Sequence, residues 1–260
     1  MNQRWVELTG AANVRDLGGL PTTDGSATRF GRILRSDNLQ DLTPDDVDRL
    51  VGTLRVRHVI DLRTTIEVVQ TGPGPLSRVP HVTIHHHSLI TEDLDEVEID
   101  AATVLPWSTN GTDRPREWVP AGQFYTSFLE QRPHSVVAAL RAMAAADGAA
   151  IAHCAAGKDR TGVICALALS VAGVRRDAIV ADYALTADRF PLVHARLSSS
   201  TTYAADLADR PIDSHLPKAE IMVAFLDAVD HSYGGPLRWL EANGWTTSDT
   251  HAMRDRLLAA

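Results

Sequence analysis

Cysteine is scarce in this chain of 260 residues, which has Cys154 and Cys165 alone. Two cysteines cannot build a disulfide framework, so the fold must be held together by a hydrophobic core. The hydrophobic content of 44% and the charged content of 22% are ordinary for a globular protein, and a chain of this length can bury a sizeable core. The scarcity of cysteine also suits a reducing compartment.

An excess of positive charge is missing as well. The chain has 33 acidic and 25 basic residues, a formal net charge of -8, whereas proteins that bind nucleic acids present clustered Lys and Arg. No run of about 18 apolar residues is present. The N-terminus also lacks the charged-then-apolar pattern of a secretory signal. We therefore expect no nucleic-acid partner and no integral membrane segment, and the sequence indicates no oligomeric state.

Apolar segments that end in turns or charges alternate with helical patterns along the chain. The strand candidates are residues 31–36, 56–63, 81–89 and 149–154. A helix is predicted to begin at Pro44, with Thr43 as its N-cap and acidic residues in its first turn. Strands that alternate with helices predict an α/β fold, in which a mostly parallel central sheet is flanked by helices. The C-terminal half is predicted to be helical.

The chain is predicted to form a single domain over residues 1–260, because neither an internal repeat nor a low-complexity linker is found. Residues 92–117 are polar and irregular, and we expect a surface insertion there. Residues 190–208 are polar and include a Ser/Thr-rich break, which favours a helical lid over a pocket.

The stretch HCAAGKDRTG, residues 153–162, carries the strongest chemical signal. It is predicted to form a strand-to-helix turn at the carboxyl edge of the sheet, where ligands of such sheets bind. The free N–H groups of a helix N-terminus, with Gly157 and Gly162 relaxing the backbone, can cradle an anion and favour a thiolate. Cys154 would then be a nucleophile, and Arg160 matches two phosphate oxygens. The turn therefore predicts phosphoryl transfer to cysteine, followed by hydrolysis of the phospho-cysteine.

This stretch resembles the signature loop of cysteine-dependent protein-tyrosine phosphatases. The segments NVRDLGGLPTTDG, RFGRILRSDNLQDLT, DLRTTIE, ADYALT and YGGPLRWLEANGW are similar to the bacterial PtpB-like tyrosine/serine phosphatase family, so the resemblance covers nearly the whole chain. It implies a cysteine-phosphatase-like fold and a mechanism without metal or cofactor. The implied substrates are phosphotyrosine, phosphoserine or phosphothreonine in proteins, and phosphoinositides. The resemblance also implies a cytoplasmic location or export without a classical signal peptide.

The resemblance assigns roles within the turn. Cys154 becomes the nucleophile and Arg160 the phosphate clamp. The phosphate-binding cradle comprises Ala155, Ala156, Gly157, Lys158, Asp159, Arg160 and Thr161, and the Thr161 hydroxyl could assist departure of the sulfur. No Trp-Pro-Asp triplet supplies a general acid. Two carboxylates remain for that role, Asp159 and Asp61, and the position of Asp159 within the turn favours it.

Several residues keep a second interpretation. Lys158 is either a second positive charge for polyphosphorylated head groups or a solvated surface lysine. Asp61 could instead form a salt bridge with Arg63 or an N-cap. Arg15 and Asp16 either brace the cradle or form a structural turn, and Asp182 is interpreted mainly as packing.

Two further features favour structural interpretations. Three successive histidines, residues 85–87, alternate between the faces of a strand and cannot converge on one metal ion, so no metal site is predicted. Cys165 is predicted to be buried in the helix after the turn.

Two other classes of function stay open on the sequence alone. A non-catalytic module that reads phosphate could contain the same turn. Another cysteine-loop enzyme, such as a sulfurtransferase or an arsenate reductase, would also place a thiol before a helix.

Overall fold

The computed structural model describes residues 4–92, 121–204, 207 and 212–258. Within them five strands form one sheet: β1 (Arg15–Asp16), β2 (Ile33–Ser36), β3 (Val56–Asp61), β4 (Thr83–His86) and β5 (Ala149–His153). The spatial order is β1-β2-β5-β3-β4. The β1–β2 pair is antiparallel and the other three pairs are parallel. The predicted α/β fold with a mostly parallel sheet is therefore confirmed.

Helices flank the sheet and make up most of the described C-terminal half, as expected. They are α1 (Pro44–Asp48), α2 (Thr65–Thr71), α3 (Ala121–Gln131), α4 (Pro133–Ala145), α5 (Asp159–Val171), α6 (Arg176–Ala184), α7 (Thr186–Ser199), α8 (Ala219–Tyr233), α9 (Pro236–Ala242) and α10 (Thr247–Leu257). One π-helical turn, Arg49–Thr53, continues α1. None of the helices in the described part of the chain could cross a bilayer as an apolar span.

Reciprocal side-chain caps begin three of the described helices, α1, α2 and α10. The hydroxyl of Thr43 accepts from the N–H of Asp46, whose carboxylate accepts from the N–H of Thr43, which confirms the predicted N-cap of α1. The same arrangement joins Thr64 and Glu67 at the start of α2. Each cap satisfies backbone donors that a helix leaves unpaired at its N-terminus.

The centre of the core lies around β5 and α5. Every residue of β5 is buried, because the strand has neighbours on both sides and its small side chains let helices approach closely. Helix α5 is also almost completely buried. His153 pairs in register with Ser36 of β2 and with Asp61 of β3, so the carboxyl ends of these three strands meet at one edge of the sheet.

Two sequence predictions concern other parts of the chain. The predicted surface insertion at residues 92–117 lies outside the described residues, apart from its first position. The predicted lid at residues 190–208 is described up to 204 and at 207, and it comprises most of α7 and the turn after it.

Candidate active site

The cysteine loop (residues 154–160) connects β5 to α5 at the carboxyl edge of the sheet. Helix α5 begins at Asp159, so the predicted strand-to-helix turn is confirmed. Gly157 has a φ of +66°, and a Cβ on it would collide with the carbonyl oxygen of Ser36 at the end of β2. The loop therefore packs backbone against backbone on the neighbouring strand, which only glycine permits here.

Hydrogen-bond donors contact the carbonyl groups of the cysteine loop from one side. The N–H of Asn38 donates to the carbonyl of Ala155 at 2.9 Å. The side chains of Asn13 and Arg35 donate to the carbonyl of Gly157 at 3.2 and 2.7 Å. In a trans peptide the C=O and the following N–H point in opposite directions, so the N–H groups after these carbonyls face the other side of the loop. Several donors directed to one side of a turn are what an anion cradle requires.

The guanidinium of Arg160 is buried and is bound along one edge. Nη1 and Nη2 donate to the two carboxylate oxygens of Glu67, with Nη2 and Oε1 3.0 Å apart, and Nη1 also donates to the carbonyl of Leu62 at 3.3 Å. Nε has no hydrogen-bond partner among the described residues. The edge formed by Nε and the second N–H of Nη2 therefore remains for two oxygens of an anion.

The thiol of Cys154 lies at the start of the same loop, is 2% exposed and is not in a disulfide. Burial alone would lower the pKa of Arg160, but the charges of Glu67 and Cys154 raise it well above the usual range. The Thr161 hydroxyl is buried and has no hydrogen-bond partner in the described part of the chain. Near this thiol, Nε of Arg160 and the Thr161 hydroxyl thus have no hydrogen-bond partner among the described residues.

Glu67 was not anticipated as a site residue. Its Oε2 accepts from the N–H of Thr64 as part of the α2 cap, while both of its oxygens accept from Arg160. The hydroxyl of Tyr203 also donates to Oε1 at 3.1 Å. The spacing of Thr64 and Glu67 predicts the cap, but nothing in that spacing indicates the distant arginine.

Asp61 is engaged in an ion pair at the end of β3. Its carboxylate accepts from Nε and Nη2 of Arg63 at 2.9 and 2.6 Å, and Nε2 of His153 lies 3.6 Å from Oδ1. Burial alone would raise the pKa of Asp61, but His153 and the hydrogen-bonded Arg63 lower it well below its usual range. The salt bridge considered from the sequence is therefore present, and this carboxylate holds no proton at neutral pH.

Asp159, the first residue of α5, has a different environment. Its Oδ1 accepts a hydrogen bond from the Tyr125 hydroxyl, and that hydroxyl lies 2.8 Å from the hydroxyl of Tyr183. Burial and the neighbouring Asp159 raise the pKa of Tyr125 well above its usual value, so Tyr125 remains a donor. Tyr125, on α3, is also a buried member of the main hydrophobic core, so it belongs both to the core and to this contact.

Lys158 is not a solvated surface lysine. Its side chain is buried, and Nζ donates to the carbonyl of His215 at 2.8 Å. Nζ also lies 5.7 Å from the ring centre of Phe190 and 3.5 Å from Oδ1 of Asp159. The ammonium group is therefore close to the cysteine loop and in contact with the segments that pack over it.

A covering segment, defined as α7 with residues 200–204 and 207, lies over the cysteine loop. An apolar cluster joins the two, and its buried members are Ala155, Ala156, Val193, Leu197, Tyr203 and Leu207. The segment thus shields the loop from solvent in this conformation, at the position where the sequence suggested a lid.

The histidines of β4 and the second cysteine were the other residues considered from the sequence, and they take structural positions. Nδ1 of His58 lies 2.9 Å from Nε2 of His85, and Nε2 of His86 lies 2.8 Å from the carbonyl of Arg63. Among the described residues no cluster of His, Cys, Asp or Glu could hold a metal ion. Cys165 is fully buried in α5, as the sequence predicted.

The chain resembles known proteins over almost its entire length. A family model described as "Tyrosine phosphatase family" matches residues 6–259. The triple specificity protein phosphatase PtpB of Mycobacterium tuberculosis is 32% identical over 286 residues, covering 97% of this chain and 98% of the relative. A tyrosine-protein phosphatase of Nostoc commune is 31% identical, covering 91% of this chain and 78% of the relative.

A solved structure, the catalytic core of Siw14, matches with a TM-score of 0.37 and 13% identity, covering 91% of this chain and 98% of that one. The family match and the match to the mycobacterial relative each span nearly the full length of the chain. This chain belongs to the tyrosine phosphatase family.

Proposed function

We propose that this protein hydrolyses phosphotyrosine and related phosphomonoesters through a phospho-cysteine intermediate on Cys154. The observation that carries the proposal is the buried guanidinium of Arg160, whose Nε edge has no protein partner among the described residues. Family membership supports the same reaction class. A non-catalytic module and a sulfurtransferase or arsenate reductase are the less favoured alternatives.

In the first step the thiolate of Cys154 attacks phosphorus, the S–P bond forms and the bond to the leaving oxygen breaks. The Nε edge of Arg160 and the N–H groups of the loop bind the phosphoryl oxygens, where charge must be stabilised in the transition state. The positive charge for this step comes from the protein itself, so the proposed reaction needs no metal ion.

Asp159 is the proposed general acid, because the leaving oxygen must receive a proton as it departs. It starts α5 inside the loop, and Tyr125 orients its carboxyl group by donating to Oδ1. Asp61 is the less suitable donor, since Nε and Nη2 of Arg63 both hydrogen-bond its carboxylate and lower its pKa, whereas the Lys158 ammonium lies 3.5 Å from Asp159. Asp61 instead orients the side chains of Arg63 and His153.

In the second step water attacks the phospho-cysteine and inorganic phosphate leaves. Asp159, now a carboxylate, accepts the proton from the water, and the S–P bond breaks with the electron pair returning to sulfur. The Thr161 hydroxyl, which has no hydrogen-bond partner among the described residues, stabilises the departing thiolate of Cys154. The enzyme is thereby restored.

The proposed substrate range extends beyond phosphotyrosine. The mycobacterial relative is named a triple specificity phosphatase, and we infer that this chain accepts phosphoserine or phosphothreonine and phosphoinositides as well. Lys158 supports the inference, because an ammonium group beside the loop can pair with an additional phosphate of a head group. Its present contacts with His215 and Phe190 must then be exchanged for contacts with the substrate.

The covering segment is proposed to act as a lid. Cys154 is 2% exposed and Arg160 is 1% exposed, so a phosphorylated side chain reaches them only after the segment moves. On the loop side, the buried members of the apolar cluster are the alanines Ala155 and Ala156, and this cluster is separate from the main core, so opening can leave that core intact.

Hydrolysis of an aryl phosphate in the presence of a chelator tests the reaction. Turnover that resists chelator, is inhibited by orthovanadate and is abolished in Cys154→Ser is the expected result. Saturable binding of a phosphopeptide without any turnover by the unaltered chain would support the non-catalytic module instead. A panel of phosphotyrosine, phosphoserine and phosphoinositide substrates, compared by kcat/KM, then measures the range.

A further inference from the structure

Three buried arginines meet one carboxylate behind the cysteine loop. Nε of Arg15 lies 3.2 Å from Oδ1 of Asp182, Nη1 of Arg35 lies 2.7 Å from Oδ2, and Nη2 of Arg4 also contacts Oδ1. The carboxylate belongs to α6, whereas the arginines belong to the N-terminal segment, β1 and β2. Asp182 therefore does more than fill space, which corrects its interpretation as packing.

A buried ion cluster such as this one contributes little to the free energy of unfolding. Desolvation offsets much of the attraction within a buried ion cluster. Burial alone would raise the pKa of Asp182, and Arg15, Arg35 and Arg4 lower it well below its usual range. The cluster is thus fully ionised, and its main structural consequence is that each guanidinium is fixed in direction.

Two side chains connect this cluster to the cysteine loop. Arg35 uses Nη1 for Asp182 and Nη2 for the carbonyl of Gly157 at 2.7 Å. Asn13 receives a hydrogen bond on Oδ1 from Nη1 of Arg15, which leaves its Nδ2 to donate to the carbonyls of Ala156 and Gly157 at 3.2 Å. Both side chains therefore donate to carbonyl oxygens of the peptide groups on either side of the Gly157 Cα.

These contacts control the orientation of the two peptide groups that flank the Cα of Gly157. Glycine adopts positive and negative φ with similar ease, so the peptide groups on either side of it can rotate at little cost. A rotated peptide would direct a carbonyl oxygen instead of an N–H group at a bound anion. The carbonyl of Ala156 shares a peptide group with the N–H of Gly157, and the carbonyl of Gly157 shares one with the N–H of Lys158. Both N–H groups are proposed phosphate donors.

We propose that Arg35 and Asn13, fixed by the Asp182 cluster, are positioning residues that keep the N–H groups of Gly157 and Lys158 directed at the phosphate. They touch neither substrate nor the reacting atoms. The inference rests on the proposed function, since it assumes that the loop binds a phosphate.

Inorganic phosphate is the probe for the test, titrated by calorimetry into the full chain carrying Cys154→Ser. Arg35→Lys keeps a positive charge near Asp182 but cannot reach both Asp182 and the Gly157 carbonyl. Asn13→Ala removes the other carbonyl donor. We expect the Kd for phosphate to rise about tenfold or more in each variant, because hydrogen bonds to a charged group are lost.

Arg256→Lys is the matched control. Arg256 is also a buried arginine that donates to backbone carbonyls, those of Arg32 and Gly148, but it does so at the opposite ends of β2 and β5. The Arg256→Lys variant should lose stability as Arg35→Lys does, while its Kd for phosphate stays equal to that of the parent. In the enzyme with Cys154 intact, Arg35→Lys should lower kcat and raise KM, whereas Arg256→Lys should change neither.

Each outcome decides between the alternatives. A phosphate Kd in Arg35→Lys and Asn13→Ala equal to that of the parent overturns the positioning role while leaving the proposed function intact. An equal loss of affinity in Arg256→Lys also overturns it, since general destabilisation then accounts for the effect. Failure of the Cys154→Ser parent to bind phosphate at all overturns the proposed function, and the inference with it.

Discussion

Arg160 and Glu67 form a two-point ion pair beneath the cysteine loop, with Nη2 of the arginine 3.0 Å from Oε1 of the glutamate. Both side chains are almost completely buried. The pair fixes the plane of the guanidinium and occupies its far edge, so that the Nε edge is presented to the proposed phosphate position. Glu67 therefore orients a clamp residue that lies on a different element.

Glu67→Gln should disturb the clamp without removing the α2 cap, because a Gln oxygen can still accept from the N–H of Thr64. Breaking a buried ion pair from one side costs about 3–5 kcal/mol of unfolding free energy. A misoriented clamp should lower kcat/KM about a hundredfold. Urea unfolding and aryl phosphate hydrolysis measure the two effects.

Asp227→Asn provides the control for that variant. Asp227 pairs with Arg176 at 2.5 Å on the surface, with side chains 67% and 41% exposed. Exposed pairs contribute about 0–1 kcal/mol, so activity and stability should remain near those of the parent. The clamp role is wrong if Glu67→Gln retains full kcat/KM under conditions where it is folded.

The cysteine loop and its flanking elements could be predicted because their signals are local. Residues 149–171 contain all of these signals: an apolar strand, the residues Cys154, Gly157, Arg160 and Gly162, and an apolar helix. The cap at Thr43 was predicted for the same reason, since its partners lie three residues away. Local geometry of this kind is encoded by residues that are neighbours in sequence.

The partners of the loop could not be predicted because they are distant in sequence. Glu67 is separated from Arg160 by 93 residues, and Asn13 from Gly157 by 144. Both lie within segments that resemble the family pattern, yet the resemblance does not say what they touch. The burial of Lys158 was missed for a related reason, since the segments over it come from later in the chain.

Asp159→Asn should identify the general acid through its dependence on the leaving group. The asparagine cannot donate a proton, so kcat/KM for phosphotyrosine, which reports the first step, should fall by about 10²–10⁴. The loss should be smaller for p-nitrophenyl phosphate, whose leaving group departs without a proton. Asp61→Asn should affect both substrates equally, and a leaving-group dependence found in Asp61→Asn alone would reverse the assignment.

Asp61 should make stability depend on pH. Burial opposes its ionisation, but His153 and Arg63 hold its pKa well below the value of about 3.9 in an unfolded chain. A depressed folded-state pKa means that this stabilisation is fully present above the unfolded value and is lost as pH falls below it. His153 titrates in the same range, since burial lowers its pKa to about 4, so the comparison is made in a His153→Gln background. There the unfolding free energy should decline between about pH 5 and about pH 2.5 more steeply with Asp61 present than in Asp61→Asn. Parallel curves for the two proteins would contradict the assignment.

Arg196→Gln should loosen the covering segment. Arg196 of α7 pairs with Asp37 through Nη1, and its Nη2 lies 3.0 Å from Oδ1 of Asn38 and 3.0 Å from Oδ2 of Asp41. These contacts tie the segment to the loop after β2. Loss of about 1 kcal/mol from a partly exposed ion pair should raise the population of the open state about fivefold.

Alkylation of Cys154 by iodoacetamide measures that opening. Burial raises the pKa of the Cys165 thiol to about 11, so this second cysteine should remain unmodified and the label should report Cys154 alone. The rate should rise about fivefold in Arg196→Gln and fall with saturating phosphate. Arg175→Gln, which breaks an exposed pair with Asp177, should leave the rate unchanged. If all three proteins react equally fast, the contacts of Arg196 do not hold the segment over the loop.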